Sequence, residues 1–508
     1  MVEAPDRRVT YIHSPELQRV GDALPSNLGR ASLVHSLISS YGLLDDGEAE
    51  DDVTEGLAIA KVVEPVRARR EELLSFHDED FIDSLLGATS PSGSEADSDS
   101  DDSSSPRKRQ KTSHSSTSLV DDCPPFPLLS EYVPLVAGAS LTAARQLRDG
   151  LADVAISWNG GRHHAARGEA KGFCYVNDIV LAIMELRKKP IPPPPPLDED
   201  DETETETEPP LRPVTPKKLS KILYLDLDLH HGDAVESAFL SSPYILTLSL
   251  HLHAPLFYPS TGSLDSSGPT NPKAAGRGHA LNLALESGLG GDALKRVWET
   301  VENVRESFGP DAVVVQCGVD GLNGDPCKEW NLSLSDYGQC ITSILEWNLP
   351  TLLLGGGGYS SPDAARVWTH LTSLCLNRPL SPTSQIPSSL SPEEYEQFSP
   401  SFTLDVESNE TIRDRNNDLT LSRVEEVFDG YCEKLREKWK TKSTRTSRLR
   451  AKDPREGEMG EREGLGLGLG LGKKGKEKKK VRWKSEASLE SIEPERREEE
   501  AISLEEGE

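Results

Sequence analysis

Five short runs, 152-ADVAISW-158, 221-KILYLDLDL-229, 244-YILTLSL-250, 312-AVVVQCG-318 and 350-PTLLLGG-356, are apolar on both alternating faces over most of their length. A strand with two apolar faces must be covered from both sides, which is the situation of a parallel sheet. Apolar residues recur at helical spacing over 31–41, 139–150, 176–188, 292–307, 335–347 and 362–376. The alternation predicts an α/β fold, one parallel β-sheet sandwiched between helices. In such sheets ligands bind beyond the carboxyl ends of the strands. The polar clusters of the chain stand there: NGGRHHA after the first run, HHGD after the second, GVDGLNGDP after the fourth and GGGGY after the last.

The second run carries the most chemistry. In 222-ILYLDLDLHHGD-233 side chains alternate, so Asp226, Asp228 and His230 share one face and Leu225, Leu227 and Leu229 the other. A row of buried carboxylates needs a cation or solvent to compensate it. A metal site is one reading; a strand running into a polar loop whose acids cap a neighbouring helix is the other. Asp320, just beyond VVVQCG, offers a second oxygen from another strand. One histidine with two carboxylates suits zinc or iron(II) and leaves coordination positions open, as catalysis requires. His163 and His164, after Gly160 and Gly161, are imidazoles able to move protons near neutral pH, or a surface pair. The glycines 355–358 before Tyr359 allow close backbone approach to a ligand and could bring the phenol to it, or form a turn before a packed tyrosine. A phosphate-cradling loop is disfavoured, since no GxxxxGK[ST] follows.

The net charge of -29 over 508 residues is local. Residues 45–55, 92–104, 198–208 and 493–508 hold 28 acids against two arginines, which leaves the rest near -3. The folded part is thus close to neutral and gives no case for nucleic-acid or membrane binding. The seven cysteines are dispersed, odd in number and without a CxxC pair, which points to a reducing compartment. The N-terminus lacks an apolar signal core and no run reaches about 18 apolar residues, so a soluble intracellular protein is expected. Residues 88–118, 190–217 and 437–508 are too polar or repetitive to build a core and are expected to be disordered. That leaves one domain over 9–433, interrupted by the first two, and a charged tail.

Four long motifs, ISWNGGRHHAARGEAKGFCYVNDIVLAI, ILYLDLDLHHGDAVESAF, VVQCGVDGLNGDP and LLLGGGGYSSPDAARVW, together closely resemble the class I zinc-dependent histone deacetylases. The opening VTYIHSPEL, 30-RASLVHSLI-38 and 121-DDCP-124 look most like the histone deacetylase 8 branch of that family, with its fungal relatives. The resemblance implies an arginase-like parallel sheet between helices and hydrolysis of acetyl-lysine. By motif position it implies Asp228, His230 and Asp320 as zinc ligands, and His164 as general base with His163 mainly electrostatic or a proton shuttle. Asp226 would orient His163, Asp233 would orient His164, and Tyr359 would donate to the developing oxyanion. Gly172, Phe173 and Tyr258 would wall the substrate tunnel, Cys327 would stand near the pocket, and Asp122 would hold the substrate backbone from the rim. A potassium ion would sit at Asp226, Asp228, His230, Ser249 and Leu250.

Three positions depart from the family pattern: Cys327 stands where relatives carry Leu or Met, Tyr258 replaces one of two tunnel phenylalanines, and Arg162 precedes the histidines. They bear on substrate preference, not on the catalytic set. The basic clusters 106-PRKRQK-111 and 473-KKGKEKKKVR-482 read as nuclear-import segments or as solvated charge. The resemblance implies a nuclear chromatin regulator that represses transcription, acting on acetylated histone tails or other acetylated nuclear proteins such as cohesin, with corepressor or tail-binding partners possible in principle. Two other functions stay open: a catalytically weak acetyl-lysine-binding scaffold, which the intact metal, base and tyrosine set opposes, and a deacetylase of small amides such as acetylpolyamines, which Asp122 opposes.

Overall fold

A computed structural model describes residues 7–45, 58–87, 122–191 and 216–450. The stretch 88–118, most of 190–217 and the tail beyond 450 lie outside the described residues. The strands are β1 (Val9–Ile12), β2 (Leu44–Asp45), β3 (Ala60–Val63), β4 (Val154–Ser157), β5 (Ile222–Asp226), β6 (Ile245–Leu252), β7 (Ala280–Leu285), β8 (Ala312–Gln316) and β9 (Thr351–Leu354). They form one sheet in the order β2-β3-β1-β4-β9-β8-β5-β6-β7, and every neighbouring pair is parallel.

The five expected strands are β4, β9, β8, β5 and β6, the unbroken middle of this sheet. Their alternation divides the interior in two. Leu223, Leu225, Leu246, Leu248, Val313, Val315 and Leu353 feed the core on one face. Ile222, Tyr224, Ile245, Val314, Leu352 and Leu354 feed the core on the other. Helices cover both: Arg30–Ser40, Gly291–Phe308, Leu334–Glu346 and Ser361–Cys375 on the first, Leu129–Arg148 and Asp178–Leu186 on the second. Their starts follow local chemistry: Ser333 and Asp336 form a capping box, and the Asn177 side chain accepts from Val180 N–H.

Two expectations are corrected. The helix read at 139–150 begins ten residues earlier, at Leu129, and carries Pro134 inside it, which removes the hydrogen bond to the Ser130 carbonyl and hides the first turns from a sequence reading. The charged stretch from 437 does contribute to the core at its start. The helix Asp418–Arg450 runs through it, and Trp439 packs edge-on against Phe308 with Lys221 Nζ 4.5 Å from its ring centroid. A lone tryptophan among lysines is a weak signal in sequence, yet Trp439 packs against the core.

Candidate active site

β5 ends at Asp226; Leu227 N–H still donates to the Gln316 carbonyl of β8 at 3.0 Å, and the backbone then bends at residues 228–230. Leu227 and Leu229 remain in the core while Asp226 and Asp228 turn the other way and are buried. His230 Nδ1 lies 3.2 Å from Asp228 Oδ1 and 3.0 Å from Asp320 Oδ2. The remaining oxygens are pinned. Asp228 Oδ2 accepts from Gln316 Nε2 at 2.8 Å and Gly357 N–H at 2.9 Å, and Asp320 Oδ1 accepts from Leu229 N–H at 2.9 Å. Each carboxylate is thus fixed with one oxygen turned to the same imidazole nitrogen.

The charges at this point do not balance among themselves. Burial, then the charge of Asp228, push the Asp320 carboxyl up to about 7. Burial would lower His230, but its hydrogen bonds to Asp228 and Asp320 outweigh it and raise the imidazole to about 10. Two buried carboxylates facing one imidazole are short of positive charge, and the two oxygens and one nitrogen are a donor set that a divalent ion such as zinc accepts. His230 and Asp320 also have ligand atoms within 4.8 Å of the Cys327 thiol.

The tandem histidines reach this centre from the loop after β4. A side chain at Gly161 (φ 89°) would collide with the Gly355 carbonyl, so only glycine lets the two loops cross here. His163 Nδ1 is 2.9 Å from Asp226 Oδ2, which also accepts from the Tyr224 hydroxyl at 2.6 Å. His163 Nε2 is 3.8 Å from Asp228 Oδ1. His164 Nδ1 is 2.9 Å from Asp233 Oδ1, and Lys171 holds the other oxygen of Asp233. Burial opposes protonation of His163, but Asp226 and Asp228 overcome it and raise the group to about 9. Burial, then the neighbouring His163, lower His164 to about 3 against the pull of Asp233. Burial would raise Asp233 as well, yet His164 and Lys171 hold it well below the usual carboxylate range.

Aromatic side chains close the surroundings. Phe257 stacks on His230 at 5.1 Å, Tyr258 meets the His164 ring edge-on at 4.9 Å, and Phe173 meets Tyr359 edge-on at 5.8 Å. Gly172 and Phe173 both have positive φ, 58° and 61°, and a side chain at Gly172 would strike the His164 ring. Asp122 Oδ2 accepts from Gly172 N–H at 2.7 Å, which ties the rim to this wall. One cavity is lined by His163, His164, Gly172, Phe173, Asp228 and Tyr359 among others. Ser249 pairs in register with Asp226 on the neighbouring strand and places its hydroxyl 3.0 Å from His251 Nδ1, with Leu250 buried beside it.

Four residues of the site escaped the sequence reading: Tyr224, Lys171, Gln316 and Asp325. Asp325 Oδ2 accepts from Tyr359 N–H at 2.7 Å and Oδ1 from Cys327 N–H at 2.9 Å, so it sets the loop that carries the phenol. Its position in GLNGDP was the available signal; Gln316, inside an apolar strand, was another, because a buried amide must be bonded.

The histone deacetylase domain family matches residues 24–191 and 213–375, more than half of the chain. Histone deacetylase 8 of Danio rerio is 37% identical over 425 residues, covering 84% of this chain and 95% of that protein. Histone deacetylase 8 of Xenopus tropicalis is 34% identical over 427 residues, covering 84% of this chain and 98% of that protein. With the arginase-like sheet and the loops above, these likenesses identify the chain as a member of the class I histone deacetylase family, of the histone deacetylase 8 type, and as a protein lysine deacetylase.

Proposed function

We propose that the protein removes acetyl groups from lysine side chains of nuclear proteins by zinc-dependent hydrolysis. The observation that carries this reading is the convergence of His230 with one oxygen each of Asp228 and Asp320, beside two histidines of opposite protonation tendency. Asp228, His230 and Asp320 would hold the metal; zinc fits the set, and iron(II) fits it too. When bound, the metal supplies a Lewis acid that polarises the amide carbonyl and lowers the pKa of a water. His164, neutral and oriented through Nδ1 by Asp233, presents Nε2 to take the proton from water and later return one to the departing amine. His163, held charged by Asp226, supplies positive potential beside it. Tyr359 donates its hydroxyl to the oxygen that gains charge.

Substrate contacts follow the same logic. Gly172, Phe173 and Tyr258 form the walls for an aliphatic lysine stem, with Cys327 shortening another side. Asp122 gives one oxygen to Gly172 N–H and keeps the other for a peptide N–H, which favours proteins over small amides. A potassium ion at Asp226, Asp228, His230, Ser249 and Leu250 is part of this reading, supported by the register of Asp226 with Ser249. Histone tails or other acetylated nuclear proteins are the proposed partners and the nucleus the proposed location; among the described residues no helix is long and apolar enough to cross a membrane.

The test is Tyr359→Phe. Turnover of an acetyl-lysine peptide should fall by about 10²–10³ while bound zinc stays at the wild-type ratio. Near-normal turnover at equal zinc would remove Tyr359 from the mechanism.

A further inference from the structure

Behind the catalytic cavity lies a second chamber lined by Asn27, Arg30, Trp158, Asn159, Arg162 and Trp368, among others. Asn27 and Arg162 line both spaces, so the two adjoin. Arg30 and Arg162 are 4% and 6% exposed, which makes them buried cations. Neither has a carboxylate within ion-pair distance among the described residues, although surface arginines such as Arg8 and Arg296 do. The Arg30 guanidinium donates to the neutral carbonyls of Gly358 at 2.8 Å and Gly356 at 3.1 Å and lies 4.8 Å from the Trp368 ring centroid. Arg162 Nη2 donates to the Asn159 carbonyl at 3.3 Å, and its Nε–H is buried without a partner. The Tyr132 hydroxyl, within electrostatic reach of both guanidinium groups, is also buried without a partner.

One carboxylate does act on Arg162, that of Asp178. Its oxygens are taken, however: Oδ1 accepts from Arg162 N–H at 2.8 Å, and Oδ2 from Gly161 N–H at 2.9 Å and Ser140 Oγ at 2.5 Å. Asp320 acts on Arg30 in the same way from a distance, but neither carboxylate is within ion-pair distance of a guanidinium group, so both buried cations lack a bonded counterion, and the Arg162 Nε–H lacks any acceptor. The missing group is a monoanion that accepts hydrogen bonds from planar donors, and a carboxylate has that geometry. Because the chamber adjoins the cavity that holds Tyr359 and His164, the carboxylate can arrive attached to the substrate.

We propose that the enzyme also hydrolyses lysines carrying a short dicarboxylic acyl group, whose far carboxylate lodges between Arg162 and Arg30. This rests on the proposed amide hydrolysis, and the chemistry is unchanged. The water oxygen bonds to the acyl carbon, the carbon–nitrogen bond breaks, the lysine nitrogen takes up the proton, and the free lysine and the dicarboxylate leave. Arg162 sets which acyl groups fit, since it stands at the junction of the two spaces.

The experiment uses the full-length, zinc-loaded protein and one peptide sequence bearing acetyl-lysine, succinyl-lysine or a neutral acyl-lysine of equal length, with free lysine peptide measured by mass spectrometry. The wild type should favour the succinyl over the equal-length neutral group. Arg162→Gln should lower that acidic-to-neutral ratio by roughly ten- to a hundredfold, the worth of a charge-assisted hydrogen bond. A ratio taken within each variant is unaffected by the fraction folded, and Arg162→Leu should lower it as well. Acetyl turnover with no succinyl preference, or a ratio unchanged in Arg162→Gln, overturns the proposal. So does thermal stabilisation by formate or acetate that needs Arg162 but comes without succinyl preference, which marks a site for free anions only. Failure on every acyl peptide would instead sink the hydrolase reading beneath it.

Discussion

The surroundings of His163 and of His164 are made from the same parts and give opposite results. Each imidazole is buried and each points Nδ1 at an aspartate oxygen 2.9 Å away. Yet His163 is raised to about 9 and His164 lowered to about 3. The difference lies one contact further out. His163 has a second carboxylate, Asp228, 3.8 Å from its other nitrogen. Among the described residues, the one carboxylate within ion-pair distance of His164 is Asp233, which it shares with Lys171, and its neighbour His163 favours the charged form, with ring centroids 3.9 Å apart. Two similar dyads are thus divided into an imidazole that favours its charged form and one that favours its neutral form by what stands behind them, the division that the proposed electrostatic and proton-transfer roles require.

This contrast can be broken by substitution. His164→Ala should cause the largest loss, about 10²–10⁴ in turnover of an acetyl-lysine peptide, as expected for removal of a general base. His163→Ala should cost clearly less, and equal losses measured at equal metal content would erase the distinction. Asp226→Asn and Asp233→Asn should each lower turnover by about 10–100-fold, because they orient rather than react. Lys171→Met sharpens the contrast from the other side. With Lys171 gone, Asp233 acts on His164 alone and favours its protonated form, so the acid limb of the kcat/KM profile should move to higher pH. A limb that stays in place or moves lower would show that Lys171 does not tune the base.

A third buried histidine serves as a control. His77 Nδ1 is 3.1 Å from the Arg167 carbonyl and Nε2 accepts from Asn177 N–H at 3.0 Å, a pattern of the neutral ring, with no carboxylate bonded to it among the described residues. Burial lowers it from 6.5 to about 4. A depressed histidine gives stability that is complete above its unfolded pKa and is lost as pH falls through the window between 6.5 and about 4. The His77 share of that loss should be about 1 kcal/mol between about pH 7 and 5.5, readable by denaturant melts of wild type and His77→Gln, in which the wild type loses more.

The same physics explains what could be read from the chain. β4, β9, β8, β5 and β6 have neighbours on both sides and core on both faces, and such strands are written as unbroken apolar runs. β7 lies at one edge with Asn282 inside it, and β3, near the other edge, carries Lys61 and is buried at only one of its four positions. Edge strands need less covering and so leave a weaker pattern. The site divides similarly. The ends of the middle strands announced Asp226, Asp228, His230 and Asp320, whereas Lys171, Gln316 and Asp325 act on other side chains rather than on a substrate. Lys171 has no local mark, and the marks of Gln316 and Asp325 do not say which partner each meets, since that is decided by the fold.

In the proposed mechanism, hydrolysis depends on a metal held by Asp228, His230 and Asp320. Acetate release from an acetyl-lysine peptide should be measured on the full-length protein before and after chelation and again after zinc is restored. Activity should disappear with the metal and return with it. Acetate release that persists through complete metal removal would contradict this dependence.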